Sequence, residues 1–347
     1  MALNLLFRGE LGDNQSWGIS SIGNIQGFLA CDQNVTVVPN NVYGNVPDDV
    51  QKCITTRYPH YDCIIRQGLA SHMAELEHQP RPMRRISLCC WDSDLIPEES
   101  AEIHNRCIDG VIALSRFTKQ AFLDAGVKIP IHIGGQGVDT NTFRPRETPK
   151  ETEVFTFIFV SVAQGRKGTQ ELLDTFAKLF KGNNKVRLVV KSNSWGNLKD
   201  FNYHGCDNIE PIYEEYTREG LADLYRDSDC FVLPTQGDSF LLPGLEASAC
   251  GLPLIITDFG GPRDYCNHHT GYPIDYDLVD CGYLPGHQAK PSLKHLEHLM
   301  DFVVKNQDDA KEKGEIGALV AQQRWTWQHD AERTASFLEG VPINDGT

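Results

Sequence analysis

Short apolar runs and helical patterns alternate along the whole chain, and this predicts an α/β fold of two similar doubly wound domains. Three observations lead there. The apolar runs are brief, poorly alternating and bounded by Gly, Pro or polar residues, as in parallel strands buried on both faces. Helical patterns lie between them. A polar, proline-bearing stretch, Asn141–Glu153, separates two such series and reads as a linker. The length of 347 residues accommodates two domains of about 150 residues each.

In the first series Leu3–Phe7, Val35–Val38, Cys63–Ile65, Ile86–Trp91 and Gly110–Leu114 read as strands. Helices are expected over 19–30, 69–78, 98–107 and 116–125. Ser115 is suited to cap the last of these and Gly126 to stop it. The second series opens with the strand Val154–Val162. A helix over Thr169–Phe180, a strand Val186–Val190, a helix near Glu219–Asp227 and a strand Cys230–Leu233 follow. Two such domains are expected to hold a ligand in the cleft between them, at the carboxyl ends of their strands.

Composition narrows the function classes. The formal net charge of −15 excludes a general nucleic-acid binder, since no basic stripe offsets it. The one basic cluster, Arg81, Arg84 and Arg85, reads as a solvated loop before a strand; peripheral membrane contact is compatible with it but not indicated. The N-terminal apolar run is too short for a secretory core, and the longest, Val154–Ala163, is about strand length. The 11 cysteines are scattered without a C-x-x-C pair, which excludes the common zinc and redox spacings. They read as buried free thiols in a reducing compartment, and the expected location is the cytoplasm.

The segment Asp229–Asp258 carries the chemistry. An apolar strand runs into a loop holding Gly237, Asp238 and Ser239, then into an Ala-rich helix ended by Gly251, then into another strand. Loop amides near Ser239–Leu242, at the start of a helix, suit a phosphate. Glu246, further along, can accept hydrogen bonds from a ribose diol.

This segment, D-S-F-L-L-P-G-L-E-A-S-A-C-G-L-P-L-I from Asp238 to Ile255, resembles the acid-x7-acid signature of retaining GT-B glycosyltransferases of family four. Its first acid is Asp where the family has Glu, and Ser239 and Leu241 replace the two loop glycines. The stretch from Phe159 to Glu171 resembles the family's strand followed by Lys-Gly at a helix start. Val111–Gly126, Gly137–Pro145 and the Trp-bearing Arg324–Trp327 are similar to further family stretches, so the resemblance covers most of the chain from about residue 86 onward. The first 80 residues match weakly.

The resemblance implies a GT-B fold. In it 1–148 is a Rossmann-like acceptor-side domain and 149–325 a Rossmann-like nucleotide-sugar domain, and a last helix over 326–347 returns to the first. It implies transfer of a sugar from a nucleoside-diphosphate sugar to an unnamed acceptor, with retention, and with no metal and no cofactor beyond the donor. Lys167 is expected to hold the donor diphosphate. Val162 stands where the family has an Arg, leaving Arg166 or Lys191 as sources of that charge. Asp238 is expected at the transferred sugar and Glu246 at the ribose. Gly18, expected in a first-domain loop where the backbone approaches the phosphate, completes the expected donor site with Ser239, Phe240, Leu241, Leu242 and Ile212. Asp92 and Asp94, in Trp91-Asp-Ser-Asp94, are expected to touch the acceptor or the donor sugar.

Three rival readings stand beside this one. Asp92-x-Asp94 after a strand is also how a single-domain GT-A transferase holds a divalent metal, but that reading leaves Lys167, Asp238 and Glu246 without a role. A GT-B epimerase would bind the same donor without an acceptor. A non-catalytic sugar-nucleotide binder is the third. The Gly134–Gly137 cluster, which precedes no helical pattern, reads as a turn rather than a dinucleotide loop.

Overall fold

The computed structural model describes residues 2–80, 83–148, 153–193 and 196–343. Arg81 of the basic cluster and residues 149–152 of the expected linker lie outside them. The chain divides into two compact units, Met1–Gly137 with Asp280–His287 and Arg324–Thr347, and Val138–Val279 with Gln288–Gln323.

The first unit is built on a parallel six-stranded sheet. Its elements are β1 (Asn4–Leu11), α1 (Ser16–Ala30), β2 (Asn34–Val42), α2 (Asp48–Thr55), β3 (Cys63–Leu69), β4 (Arg84–Cys90), α3 (Glu98–Cys107), β5 (Gly110–Ala113), α4 (Arg116–Asp124) and β6 (Ile131–Ile133). The strand order is β2-β1-β3-β4-β5-β6, with every pair parallel. Leu5, Phe7, Val37 and Ile65 from the strands and Ile25 and Phe28 from α1 form one side of its core. Ile64, Val111 and Ala113 pack with Ala101 and Phe122 on the other. Ser115 caps α4 as its position promised, accepting from Thr118 N at 3.2 Å.

Two local expectations are corrected and one unforeseen helix is added. The segment read as a helix over 69–78 is a 3-10 helix, Ala70–His78. Its apolar residues Ala70, Met73 and Leu76, all fully buried, recur every third position, which is the 3-10 rather than the α period. The two-turn helix α2 escaped notice because only Val50 and Cys53 of its face are buried. Gly18 is not in a loop. It lies in the first turn of α1, where a Cβ would collide with Gly12 O, so its role is close packing of the helix start on the end of β1.

The second unit holds β7 (Phe155–Val160), α5 (Thr169–Phe180), β8 (Val186–Lys191), β9 (Ile209–Ile212), α6 (Arg218–Arg226), β10 (Cys230–Leu233), α7 (Leu242–Ala249), β11 (Leu254–Thr257) and β12 (Gly271–Ile274). All six residues of β7 and all four of β10 are buried, which is why neither alternates in polarity. The sheet order β12-β11-β10-β7-β8-β9 reads from its other edge as third, second, first, fourth, fifth, sixth. That is the doubly wound dinucleotide-binding order, and its direction reverses between β7 and β10. A two-stranded sheet, β13 (Tyr276–Asp280) with β14 (His287–Pro291), precedes α8 (Leu293–Lys305) and α9 (Gln307–Arg324).

The last helix, α10 (Trp327–Gly340), belongs to the first unit. Its Ala331 and Leu338 join the core of β1 and α1. The Trp327 ring lies on Gly23, where a Cβ would collide with it. Asp330, fully buried, accepts from Gly135 N at 2.7 Å. The Gly134–Gly137 cluster is therefore a turn that receives a helix from elsewhere in the chain. Among the described residues no helix is long and apolar enough to cross a membrane.

Candidate functional site

The reversal point of the second sheet is where an open α/β sheet offers its ligand crevice, because the two flanking connections leave in opposite directions. The chain leaving β7 passes through Gly165–Lys167, a single 3-10 turn, to Gly168. Gly168 has φ +68°, and a Cβ there would collide with Pro234 O just beyond β10. Glycine at this position lets the two strand ends close on each other. Three bonds hold them: Gln236 N donates to Arg166 O at 2.8 Å, Thr235 Oγ1 to the same oxygen at 3.3 Å, and Arg166 Nη1 to Gly237 O at 3.0 Å.

This closure brings Lys167 and Asp238 together. The Lys167 ammonium donates to Asp238 Oδ2, and the two side chains are 7% and 13% exposed. Burial pushes the Asp238 carboxyl up, but the charges of Lys167 and Arg166, with hydrogen bonds from Lys167 and from Phe240 N at 3.2 Å, outweigh it and hold it below the usual aspartate value. Asp238 is thus an ionised carboxylate on a buried lysine, beside the expected phosphate loop.

That loop then enters α7. Leu241 precedes the helix with φ +69° and ψ 73°, a left-handed conformation that costs a leucine about 1–2 kcal/mol. Tyr265 holds it there, its hydroxyl donating to Leu241 O at 2.7 Å and Phe240 O at 3.1 Å. The side chains of Ser239, Phe240, Leu241 and Leu242 are all buried. Phe240 packs on the Tyr265 ring at 5.4 Å between centroids. The Phe240 amide, expected to face a phosphate, is directed at Asp238 instead.

Glu246, one turn into α7, is 2% exposed and receives a hydrogen bond from Arg218 Nη2 at the start of α6. The Arg218 guanidinium lies over the Phe143 ring, 4.6 Å from its centroid. Burial alone works against the charge of Arg218, but the Glu246 carboxylate outweighs it and raises the guanidinium pKa. Ile212 is the buried last residue of β9. Lys191 is the last residue of β8, 5% exposed, with its ammonium donating to Ser192 O at 2.5 Å.

In the first unit, Asp94 accepts from His287 N at 2.6 Å and pairs with His287 Nδ1 at 3.0 Å. Ser93 donates to Pro285 O at 2.7 Å. The Trp91–Asp94 turn thus fastens the 280–287 segment, and Asp92 is half-buried next to it. Among the described residues no three His, Cys, Asp or Glu side chains converge as a metal site, at Asp92 and Asp94 or elsewhere.

The family described as glycosyl transferases group 1 matches residues 140–280, the span that contains Lys167, Asp238 and Glu246. The D-inositol 3-phosphate glycosyltransferase of Arthrobacter sp. (strain FB24) is 28% identical, over 81% of this chain and 71% of that protein. The chain is a glycosyltransferase. Its fold is GT-B. Sucrose-phosphate synthase from Thermosynechococcus elongatus superposes with a TM-score of 0.73 at 15% identity, covering 97% of this chain and 98% of that one. HepE of Anabaena, solved in complex with UDP-glucose, gives 0.71 at 16% identity, covering 98% of this chain and all 100% of HepE.

Sequence reasoning missed two partners in this glycosyltransferase. Arg218 has no motif of its own, and its pairing with Glu246 joins residues 28 apart through the packing of α6 on α7. Phe143, within the stretch read as a linker, is instead a fully buried floor beneath that arginine and against Tyr225. The one available signal was the Phe in the resemblance over Gly137–Pro145.

Proposed function

We propose that the glycosyltransferase moves a sugar from a nucleoside-diphosphate donor to its acceptor with retention of configuration, using lysine rather than a metal ion at the diphosphate. The observation that supports this reading is the buried Lys167–Asp238 pair at the reversal of the second sheet. Lys167 neutralises the charge that builds on the departing diphosphate, and Arg166, fixed by Gly237 O, adds to the field. Asp238 contacts the transferred sugar and Glu246 the ribose. Ser239–Leu242 and Ile212 form the walls around the donor, and Asp92 and Asp94 lie on the acceptor side. With no second carboxylate assigned as nucleophile, the departing phosphate oxygen takes the acceptor's proton as the new glycosidic bond forms on the same face. The UDP-glucose bound by HepE and the inositol phosphate acceptor in the Arthrobacter relative's name are the first candidates to assay. All 11 cysteines are free thiols, which supports a cytoplasmic location.

A thermal-shift panel of UDP-, GDP-, ADP- and TDP-sugars tests the donor. A true donor at 100 times its dissociation constant adds about 2.7 kcal/mol of stability. Stabilisation by none of them removes the reading. Mass analysis of products separates a transferase, which needs an acceptor, from an epimerase, which does not.

A further inference from the structure

Lys191 ends β8, the strand next to β7, and pairs in register with Val160. It therefore sits at the same carboxyl edge from which the Lys167 turn departs. Its side chain is buried, and its surroundings differ from those of Lys167. Lys167 has Asp238 as a counterion, whereas among the described residues no carboxylate lies within ion-pair distance of the Lys191 ammonium. Nζ instead meets the carbonyl of Ser192 and, 5.8 Å away, the centroid of the Tyr216 ring on the loop after β9.

A buried ammonium without an anion is costly, because burial removes its hydration and one carbonyl with one ring face replaces only part of it. Burial lowers the Lys191 pKa, against the weaker opposite pull of Glu215 and Glu214. The backbone around it is fixed: Ser192 Oγ accepts from Ala163 N at 2.9 Å, and Ser161 N donates to Lys191 O at 3.2 Å. The end of β8 and the loop leaving β7 are thus one rigid rim, with a lysine on each strand's side of it. Such a rim is preorganised for a ligand with two adjacent negative groups.

We infer that Lys191 is a second phosphate-binding cation of this site, engaging the diphosphate of a nucleoside diphosphate alongside Lys167. The inference rests on the reading of the second unit as the donor-binding unit. The ligand completes the charge balance that the protein leaves open at Lys191 while Lys167 exchanges part of its hold on Asp238 for phosphate oxygen.

The test is calorimetric titration of wild type, Lys191→Met and Lys191→Arg. The probes are UDP, GDP and ADP and, for the one bound, its parent nucleoside. Wild type that binds none of the three diphosphates overturns the donor reading itself, before Lys191 is at issue. Given binding, Lys191→Met is expected to weaken the diphosphate by about tenfold or more, the scale of one charge-assisted hydrogen bond, and to leave nucleoside affinity unchanged. Lys191→Arg, which keeps the charge, retains most of the affinity. The ligand-free melting midpoint of Lys191→Met is expected to hold or rise, since a buried unpaired charge has been removed. Unchanged diphosphate affinity overturns the inference. So does equal loss of diphosphate and nucleoside, which would make Lys191 a support for the base pocket. A fall in the ligand-free midpoint of Lys191→Met, with Lys191→Arg binding no better, overturns it in favour of a purely structural lysine.

Discussion

Lys167 and Asp238 form an ion pair across the reversal point of the second sheet, one on the turn that follows β7 and the other on the loop beyond β10. Arg218 at the start of α6 pairs likewise with Glu246 in α7, so each acid of the signature stands on its own cation. Both acids are thereby held in fixed orientation by a cation, a preorganisation that rests largely on ion pairing.

If Lys167 holds the leaving diphosphate as proposed, Lys167→Ala is expected to lower turnover by about 10²-fold or more. It also leaves Asp238 buried without its partner, a loss on the scale of about 3 kcal/mol. The double variant Lys167→Met/Asp238→Asn should recover much of that stability and none of the activity. Denaturant unfolding and steady-state rates on the same three proteins check both halves. A stable single variant would show that the pair does not form in solution.

Glu246→Ala and Asp238→Ala are expected to fail differently. Glu246→Ala weakens the donor and the free nucleoside diphosphate alike, by about 1.5–3 kcal/mol. Asp238→Ala lowers turnover and blurs sugar choice, with free nucleotide affinity nearly intact. Calorimetry with nucleoside diphosphate distinguishes them, and loss of nucleotide binding in Asp238→Ala alone would reverse the two roles.

Arg218 holds the Glu246 carboxylate, and under the proposed ribose role of Glu246 it is a positioning residue. Arg218→Gln leaves the carboxylate free to swing, so the Michaelis constant for donor is expected to rise with little change in turnover number, while Arg218→Lys restores part of it. A fall in turnover with an unchanged Michaelis constant would place Arg218 at the reacting sugar instead.

Asp330 anchors α10 and confers a pH dependence. Its burial raises the carboxyl pKa to about 7, against the Gly135 amide and the Arg333 charge, which act to lower it. The folded carboxyl therefore keeps a proton that the unfolded chain gives up near its ordinary value. Stability contributed by this group is full below about pH 4 and is lost as pH rises towards 7. Asp330→Asn, which still offers an oxygen to Gly135 N, should be more stable than wild type at pH 8 by about 1 kcal/mol or more, one pKa unit being 1.36 kcal/mol. The two proteins should converge as pH falls to about 4. Thermal unfolding at both values decides, and parallel curves would refute it.

Gly23→Ala should be destabilising by about 1–3 kcal/mol through overpacking against the Trp327 ring. If α10 does not dock on α1 in solution, the variant melts like wild type.

The sequence by itself determined the α/β alternation, the two sheets and the place of the signature, because those follow from local patterns. The short, mostly apolar runs of β7 and β10, rich in β-branched and aromatic residues, read as buried strands by their length and flanks, and Ser115 caps a helix with atoms three residues away. Lys167, Asp238 and Glu246 were singled out by resemblance, since their segments keep the family's order of residues. Tertiary structure alone decided what each of them touches. The Lys167–Asp238 pair spans 71 residues and the Asp330–Gly135 contact spans 195, and neither leaves a periodic trace. Gly18 read as a loop glycine because a helix start packed on a strand end asks for the same small residue as a turn. Lys191 stood beside Arg166 as a candidate for the charge missing at Val162, and only the packing of Tyr216 and Ser192 around it showed a buried ammonium without a carboxylate partner. Pattern records which face of an element is buried; the partner on that face comes from chain segments far away in sequence, and charge balance is settled between those segments.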